Sequence, residues 1–129
     1  MKKNVRLFMM LITVLMLLSC SKHDTNFYTH HPEELKQALL RCPLQAPADV
    51  SCDELKKVAL RINQLTYALS MDQQAYGQEI LALQASKSEL LEKLQKNPKK
   101  IELKQALSDI SQQIDERLFV VKWLRSPRS

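Results

Sequence analysis

The chain has 129 residues, which is room for one small domain. Its composition, with one glycine, five prolines and 5% aromatic residues, favours helices over a β-sandwich or barrel. The formal net charge is +5, but Lys2, Lys3 and Arg6 lie in a segment that we expect to be removed, which leaves 16 basic against 14 acidic side chains. This balance of +2 does not favour a nucleic-acid partner, and so short a chain does not predict a large core.

The amino terminus has the pattern of a secretion signal. A basic stretch over residues 1–6 precedes the apolar run Leu7–Leu18, which only Thr13 interrupts. These twelve residues are too few for a permanent transmembrane anchor, because a helix needs about 20 apolar residues to cross the hydrocarbon core. Leu17-Leu18-Ser19-Cys20 resembles the lipobox of bacterial lipoproteins. The alternative is an ordinary cleaved signal followed by a chance cysteine.

The lipobox resemblance implies cleavage before Cys20 and a diacylglyceryl group on its thiol, so we expect a signal peptide over residues 1–19. The lipid would hold the protein on a membrane without further contacts. By the sorting rules of enteric bacteria, an aspartate after the lipidated cysteine favours retention in the inner membrane. This chain has Ser21 at that position, which implies the outer membrane more than the inner. We expect residues 20–31 to form a lipidated flexible tether in the periplasm.

The next segment predicts two helix ends that face each other. Pro32-Glu33-Glu34 begins a helix that carries Leu35, Ala38, Leu39 and Cys42 on one face and ends at Pro43. Ser51-Cys52-Asp53-Glu54 has the form of a capping box, which places Cys52 at the start of the following helix. The sequence therefore predicts a helical cap over residues 32–55.

Cys42 and Cys52 are an even pair in a compartment that oxidises thiols, so we expect a disulfide between them. Closing so short a loop stabilises a small domain by roughly 2 to 3 kcal/mol. A zinc site formed by these cysteines with His23, His30 and His31 is the alternative, but the spacing matches no common ligand pattern. We predict neither a metal nor a cofactor.

The carboxyl half predicts long helices that fold back on each other. Its apolar residues recur in steps of three and four, interrupted at Asp72 and at the turn Asn97-Pro98; they are Leu55, Val58, Ile62, Leu65 and Leu69, then Tyr76, Ile80, Leu83, Leu90 and Leu94, then Leu103, Leu107, Ile110, Ile114, Leu118, Val121 and Leu124. Pairs such as Leu94 with Leu103 and Tyr76 with Val121 have position numbers that sum to 197. We predict an antiparallel helical hairpin over residues 56–125 and a tail over residues 126–129.

The fold class is thus all-α: a short disulfide-stapled helix followed by a long, coiled-coil-like antiparallel hairpin. The second arm ends at Arg125, opposite Gln73, so Ile62, Leu65 and Leu69 are expected to be the most exposed part of the seam. We expect a partner protein or a second copy to cover them. Trp123 is expected to cap the open end of the hairpin, with contact to headgroups or a partner as the alternative.

The front of the chain resembles the entry-exclusion lipoproteins of conjugative plasmids. The stretch Phe27-Tyr28-Thr29-His30-His31-Pro32-Glu33-Glu34-Leu35, with Leu39, Cys42 and Cys52 beyond it, matches their lipidated cysteine, aromatic residue, His-Pro-x-Glu-Leu helix start and closely spaced cysteine pair. The resemblance covers roughly Leu17 to Leu55, and the short members of that family lack the long hairpin. It implies an interaction protein that blocks redundant DNA transfer, with Tyr28, His31, Pro32, Glu34 and Leu35 as candidate partner-binding residues.

Two non-enzymatic functions follow from this pattern. The first is a lipid-anchored periplasmic interaction protein, with a type IV secretion component or self-association as its partner. The alternative is a structural coiled-coil envelope lipoprotein without exclusion activity. Catalysis is not expected, because the sequence lacks a Gly-rich phosphate loop, a His-Glu-x-x-His motif and a nucleophile with an orienting base. We expect no nucleic acid and no small-molecule substrate.

Overall fold

The computed structural model describes residues 23–126, and this part of the chain contains five α-helices and no strand. They are α1 (Thr25–His30), α2 (Pro32–Arg41), α3 (Cys52–Met71), α4 (Gln73–Lys96) and α5 (Ile101–Arg125). The all-α prediction is confirmed. The predicted signal peptide and lipidation site at Cys20 lie outside the described residues, as does the end of the tail.

Helix α1 lies where the sequence predicted a flexible tether. The Asp24 carboxylate caps it by accepting a hydrogen bond from the Phe27 backbone N–H at 2.8 Å. Tyr28 and Thr29 are buried, and Tyr28 packs in the same cluster as Leu55 of α3. The prediction of a tether is therefore wrong for residues 25–30, because the apolar area of an aromatic ring is sufficient to hold this short helix against α3.

Helices α2 and α3 form the predicted disulfide-linked pair. The disulfide joins Cys42 to Cys52 with their Cα atoms 6.0 Å apart. The capping box is complete, since Ser51 Oγ accepts from the Glu54 N–H at 3.2 Å and Glu54 Oε2 accepts from the Ser51 N–H at 2.9 Å. One buried cluster fills the space between α1, α2 and α3: Tyr28, Leu35, Ala38, Val50, Leu55 and Ile62.

The predicted hairpin over residues 56–125 is in fact three helices. Asp72 ends α3 and begins α4: its backbone N–H donates to the Ala68 carbonyl, and its carboxylate accepts from the Ala75 N–H at 2.9 Å. Because Asp72 caps the second helix, the chain can change direction at this one residue without a longer connecting loop. The antiparallel hairpin itself consists of α4 and α5, joined at residues 97–100.

Helices α3 and α5 run parallel in a constant register. Arg61 bonds to Glu116, Leu65 shares a buried cluster with Val120, and the next members of this series, Leu69 and Leu124, pack against that cluster. Each pair differs by 55 positions, so both helices advance in the same direction. Helix α4 is antiparallel to α5 and therefore also antiparallel to α3. The chain thus reverses its direction at the single residue Asp72.

The carboxyl half of α5 buries residues outside the predicted stripe as well as part of it. The expected stripe placed Leu118 inside, but Leu118 is 47% exposed, whereas Val120 is 1% exposed and Glu116 is buried. The reason is that this half of α5 contacts α1 and α3 as well as α4, so more than one face of it is covered. Tyr76 and Val121, a predicted facing pair, do line one cleft with Ile80 and Leu118 at the open end of the hairpin.

The two ends of the molecule differ in how much they bury. Between residues 81 and 113 no side chain is fully buried, and the predicted contact residues Leu90, Leu94, Leu103 and Leu107 are half-buried. By the α3–α5 register, Cys52 at the start of α3 lies level with Leu107. Residues 90–107 therefore form a two-helix arm that extends about 10 Å beyond α3, at a rise of 1.5 Å per residue.

Candidate interaction surface

A groove of about 470 Å³ lies between α2, α3 and the last turn of α5. We call it the front groove. Its walls are mainly apolar, with a few polar groups at the rim, and its lining residues are Pro32, Glu33, Leu35, Lys36, Leu39, Leu40, Ala59, Ile62, Asn63 and Trp123. An apolar groove with a polar rim is the surface that a helix or an inserted side chain of another protein recognises.

The sequence of α2 explains why one wall of the groove is apolar. Pro32 occupies the first helical position, and Leu35 and Ala38 turn inward, where they are 4% and 5% exposed. Leu40 lies two positions after Ala38, beyond the edge of the buried face, and is 71% exposed. Leu39 lies between these extremes, half-buried against the core. The helix thus presents apolar side chains both to the core and to the groove.

Trp123 of α5 also lines the front groove. Its indole stacks on the Phe119 ring with centroids 6.3 Å apart and planes 9° apart, and the side chain remains 36% exposed. The prediction that Trp123 caps the open end of the α4–α5 hairpin is wrong: the cleft at that end is lined by other residues, Leu124 and Tyr76 among them. The indole instead borders α2, since consecutive residues of α5 point to different neighbours.

A second apolar surface lies on the outer face of α3. Leu60, Tyr67 and Met71 are 58%, 66% and 66% exposed. Steps of seven and four residues place them along one line of the helix. We call these three residues the α3 stripe. Its first residue, Leu60, is next in the chain to Ala59, which lines the front groove. Exposed apolar side chains aligned on one helix face are a candidate protein-binding surface, although the polar Gln64 lies between Leu60 and Tyr67.

Two polar contacts hold the elements around the groove together. The Arg61 Nε donates to Glu116 Oε2 at 3.1 Å, and Gln112 Nε2 donates to the other oxygen of that carboxylate at 3.0 Å. His30 Nε2 lies 2.8 Å from Asp115 Oδ2, while its Nδ1 lies 2.8 Å from the Asn26 carbonyl oxygen. Both neighbours of the imidazole are acceptors, so its protonated form donates to both.

The predicted partner-binding residues divide into two groups. Tyr28, Leu35, Ile62 and Leu65 are 6%, 4%, 5% and 5% exposed, so they form the core rather than a contact surface. The expectation that residues 62–69 are the most exposed part of the seam is wrong, because α1 and α2 cover Ile62, and α4 and α5 cover Leu65 and Leu69. His31 and Glu34 are exposed, and Pro32 and Leu69 are half-buried.

His31 and the cysteines have partners that bear on the predicted chemistry. His31 Nδ1 lies 2.8 Å from the Phe27 carbonyl oxygen, and its ring stacks on Phe27 at a centroid distance of 4.0 Å. The disulfide occupies both cysteine sulfurs, so the zinc alternative lacks its thiolates. Residues 23–126 contain no group of three or more side chains arranged to hold a metal ion.

Sequence reasoning missed the exposed apolar residues, although a signal was present. Leu60, Tyr67 and Met71 form a second series beside the core positions of α3, and Leu40 follows directly on Leu39.

No helix within residues 23–126 is long and apolar enough to cross a membrane. No protein-family model, curated protein or solved structure matches the chain.

Proposed function

We propose that this protein is a lipid-anchored periplasmic interaction protein that uses the front groove to bind another protein. The observation that carries the proposal is the groove itself, with Leu40 and Trp123 exposed among its lining residues. Exposed large aliphatic and aromatic side chains beside a concave surface are the usual anchors of protein interfaces. Lipidation of Cys20 and an outer-membrane location remain part of the proposal.

The sharper form of the proposal is entry exclusion against conjugative DNA transfer, with a type IV secretion component as the partner. It is supported by the resemblance around His31, Pro32 and Leu35 and by the disulfide that closes the same segment. Pro32 and Glu33 line the front groove, so the segment that resembles the family also forms part of the candidate contact surface.

The test is the conjugation frequency into recipient cells that express the protein, with the mating system encoded nearest its gene. We expect native protein to lower the frequency and Cys20→Ala to restore it. Leu40→Lys should also restore it, because a charge would enter the apolar wall while the residue contributes little to the core. Leu81→Lys is the matched control, since Leu81 is 65% exposed on α4 and outside the groove.

The alternative is a structural envelope lipoprotein whose helices associate with copies of itself. The α3 stripe favours it, since three exposed apolar residues on one line suit helix-to-helix association. Equal conjugation frequencies at matched expression, together with a dimer in analytical ultracentrifugation that Tyr67→Lys dissociates, would favour this alternative. A monomer that excludes transfer would favour the first.

A further inference from the structure

The tip of the α4–α5 arm carries a concentrated positive charge. Residues 93–104 contain five lysines, Lys93, Lys96, Lys99, Lys100 and Lys104, against the single acid Glu102, which gives a net charge of +4. All five lysines are exposed. The chain from Cys20 onward has a net charge of +2, so everything outside this segment sums to −2. The tip is therefore a strongly basic surface.

An exposed apolar side chain sits within this basic segment. Ile101 begins α5, directly after Lys99 and Lys100, and is 75% exposed. Within the described residues, no ion pair involves any of the five lysines. Lysines around an exposed aliphatic residue match the surface of a bilayer, where anionic headgroups attract the ammonium groups and the aliphatic group enters the boundary of the acyl chains.

The direction of α1 places the proposed anchor on the same side as the tip. His30 contacts Asp115 and Phe119, whereas Thr25 borders a small cavity with Gln112, so α1 points its amino terminus toward the lower numbers of α5 and hence toward Ile101. From Gln112 to Ile101 the helix rises about 16 Å. His23 packs on Phe27 with ring centroids 4.0 Å apart, so three residues connect Cys20 to the described structure, and an extended chain of that length reaches at most about 11 Å.

We propose that the lysine-rich tip binds an anionic lipid surface, so that the protein contacts its membrane at two points, the lipid on Cys20 and residues 93–104. This inference rests on the proposed lipidation. The proposed anchor and the tip lie toward the same end of the protein, so a bilayer surface inclined to α5 can receive both. A nucleic acid is a poorer match, because residues 93–104 include no aromatic side chain on which a base could stack.

The test uses the full mature protein, purified from membranes and reconstituted into vesicles of phosphatidylcholine with or without 30% phosphatidylglycerol. Ile101→Cys is labelled with an environment-sensitive fluorophore, and Leu81→Cys, 65% exposed on α4 and outside the tip, is the matched control. We expect the label at 101 to move to a blue-shifted, less quenched environment only in the anionic vesicles, and the shift to vanish near 1 M salt. The label at 81 should not respond.

Charge variants separate the tip from general attraction. Each Lys→Gln change within residues 93–104 should lower the partition of the tip onto anionic vesicles about fivefold. The same number of changes at Lys36, Lys56, Lys57, Lys87 and Lys122, outside the tip, should leave the signal at 101 unchanged. The proposal is overturned if the label at 101 stays in water on anionic vesicles, or if both sets of variants act alike.

The mass of the purified protein distinguishes failure of the anchor from failure of the tip. An acylated mass with no response at 101 would leave the proposed lipidation intact and overturn the second contact. If the mass shows no acyl group, the proposed anchor fails. The unlipidated protein is then added to the same preformed vesicles, and co-sedimentation with anionic but not neutral vesicles still decides whether the tip binds.

Discussion

Arg61 and Glu116 form an ion pair at 3.1 Å that connects α3 to α5, although 55 positions separate them in the chain. The Glu116 side chain is 10% exposed and the Arg61 side chain 38%. Glu116 is thus a nearly buried charge whose oxygens are both occupied, one by Arg61 and one by Gln112. This arrangement fixes the register between the disulfide-linked front and the α4–α5 hairpin.

Arg61→Met should destabilise the protein because it leaves the Glu116 carboxylate without its cation. Loss of one partner from a fully buried pair costs about 3 to 5 kcal/mol. Water screens the partly exposed guanidinium, so we expect the free energy of unfolding to fall by roughly 1 to 3 kcal/mol. Urea denaturation followed by circular dichroism measures this loss. Arg61→Met with Glu116→Leu should recover much of this loss; a double variant as unstable as the sum of the singles would contradict the ion-pair explanation.

Cys42→Ser with Cys52→Ser should lower the free energy of unfolding by about 2 to 3 kcal/mol, since the disulfide closes a loop with a sequence separation of 10. Thermal melts of the oxidised protein, the reduced protein and the double variant measure this. The reduced protein and the variant should agree with each other. Equal melting temperatures for all three would mean that the bond adds no stability.

The hydrogen bonds of the Glu54 carboxylate should make the stability of the protein depend on pH in acid. The hydrogen bond that it accepts from the Ser51 backbone, with a further one from the Ser51 hydroxyl, holds the pKa of Glu54 below its ordinary value. A lowered folded-state pKa contributes stability that is present above the unfolded pKa near 4.5 and is lost as pH falls through the folded value. Glu54→Gln should therefore flatten the pH dependence of unfolding below about pH 5, with a small amplitude because the group is exposed.

Ser51→Ala provides the matching control at the same cap. It removes the hydroxyl that accepts from the Glu54 N–H, so we expect a loss of about 1 kcal/mol at neutral pH. The backbone N–H of Ser51 still donates to Glu54 in this variant, so part of the acid dependence should remain. If Glu54→Gln retains the native acid dependence, another carboxylate is responsible.

Trp123→Ala separates a role in stability from a role in binding. The indole is 36% exposed and stacks on Phe119, so we expect a loss of only about 1 kcal/mol in stability. Leu55→Ala, at a residue that is 0% exposed, should cost about 2 to 5 kcal/mol and serves as the core reference. If Trp123→Ala proves as destabilising as Leu55→Ala, the side chain belongs to the core rather than to the groove.

Local signals in the sequence predicted the starts of α2 and α3 and the disulfide. Pro32 and the Ser51–Glu54 capping box act within one helical turn, so their effect can be read from neighbouring residues. The break at Asp72 was also visible, but its consequence was not. Whether α3 continues the hairpin or packs beside α5 depends on contacts between residues such as Leu65 and Val120, which are far apart in the chain.

The candidate surface was harder to predict for the same reason. Ile62 and Leu65 follow the apolar period as a binding seam would, and only their packing against residues of other helices shows that they are core. Glu116 lies in a buried position that an apolar pattern cannot anticipate, since Arg61 comes from another helix. Leu40 and Trp123 line one groove only after α2, α3 and α5 have assembled.

The arm over residues 90–107 buries no side chain fully and touches neither α1 nor α2. Its length is consequently independent of the packing that holds the rest of the protein together. Inserting seven residues into α4 and seven into α5 on either side of the turn would keep the facing residues in step and lengthen the arm by about 10 Å. The arm can thus serve as a ruler, whose span is set by paired insertions while the helices around the groove keep their structure.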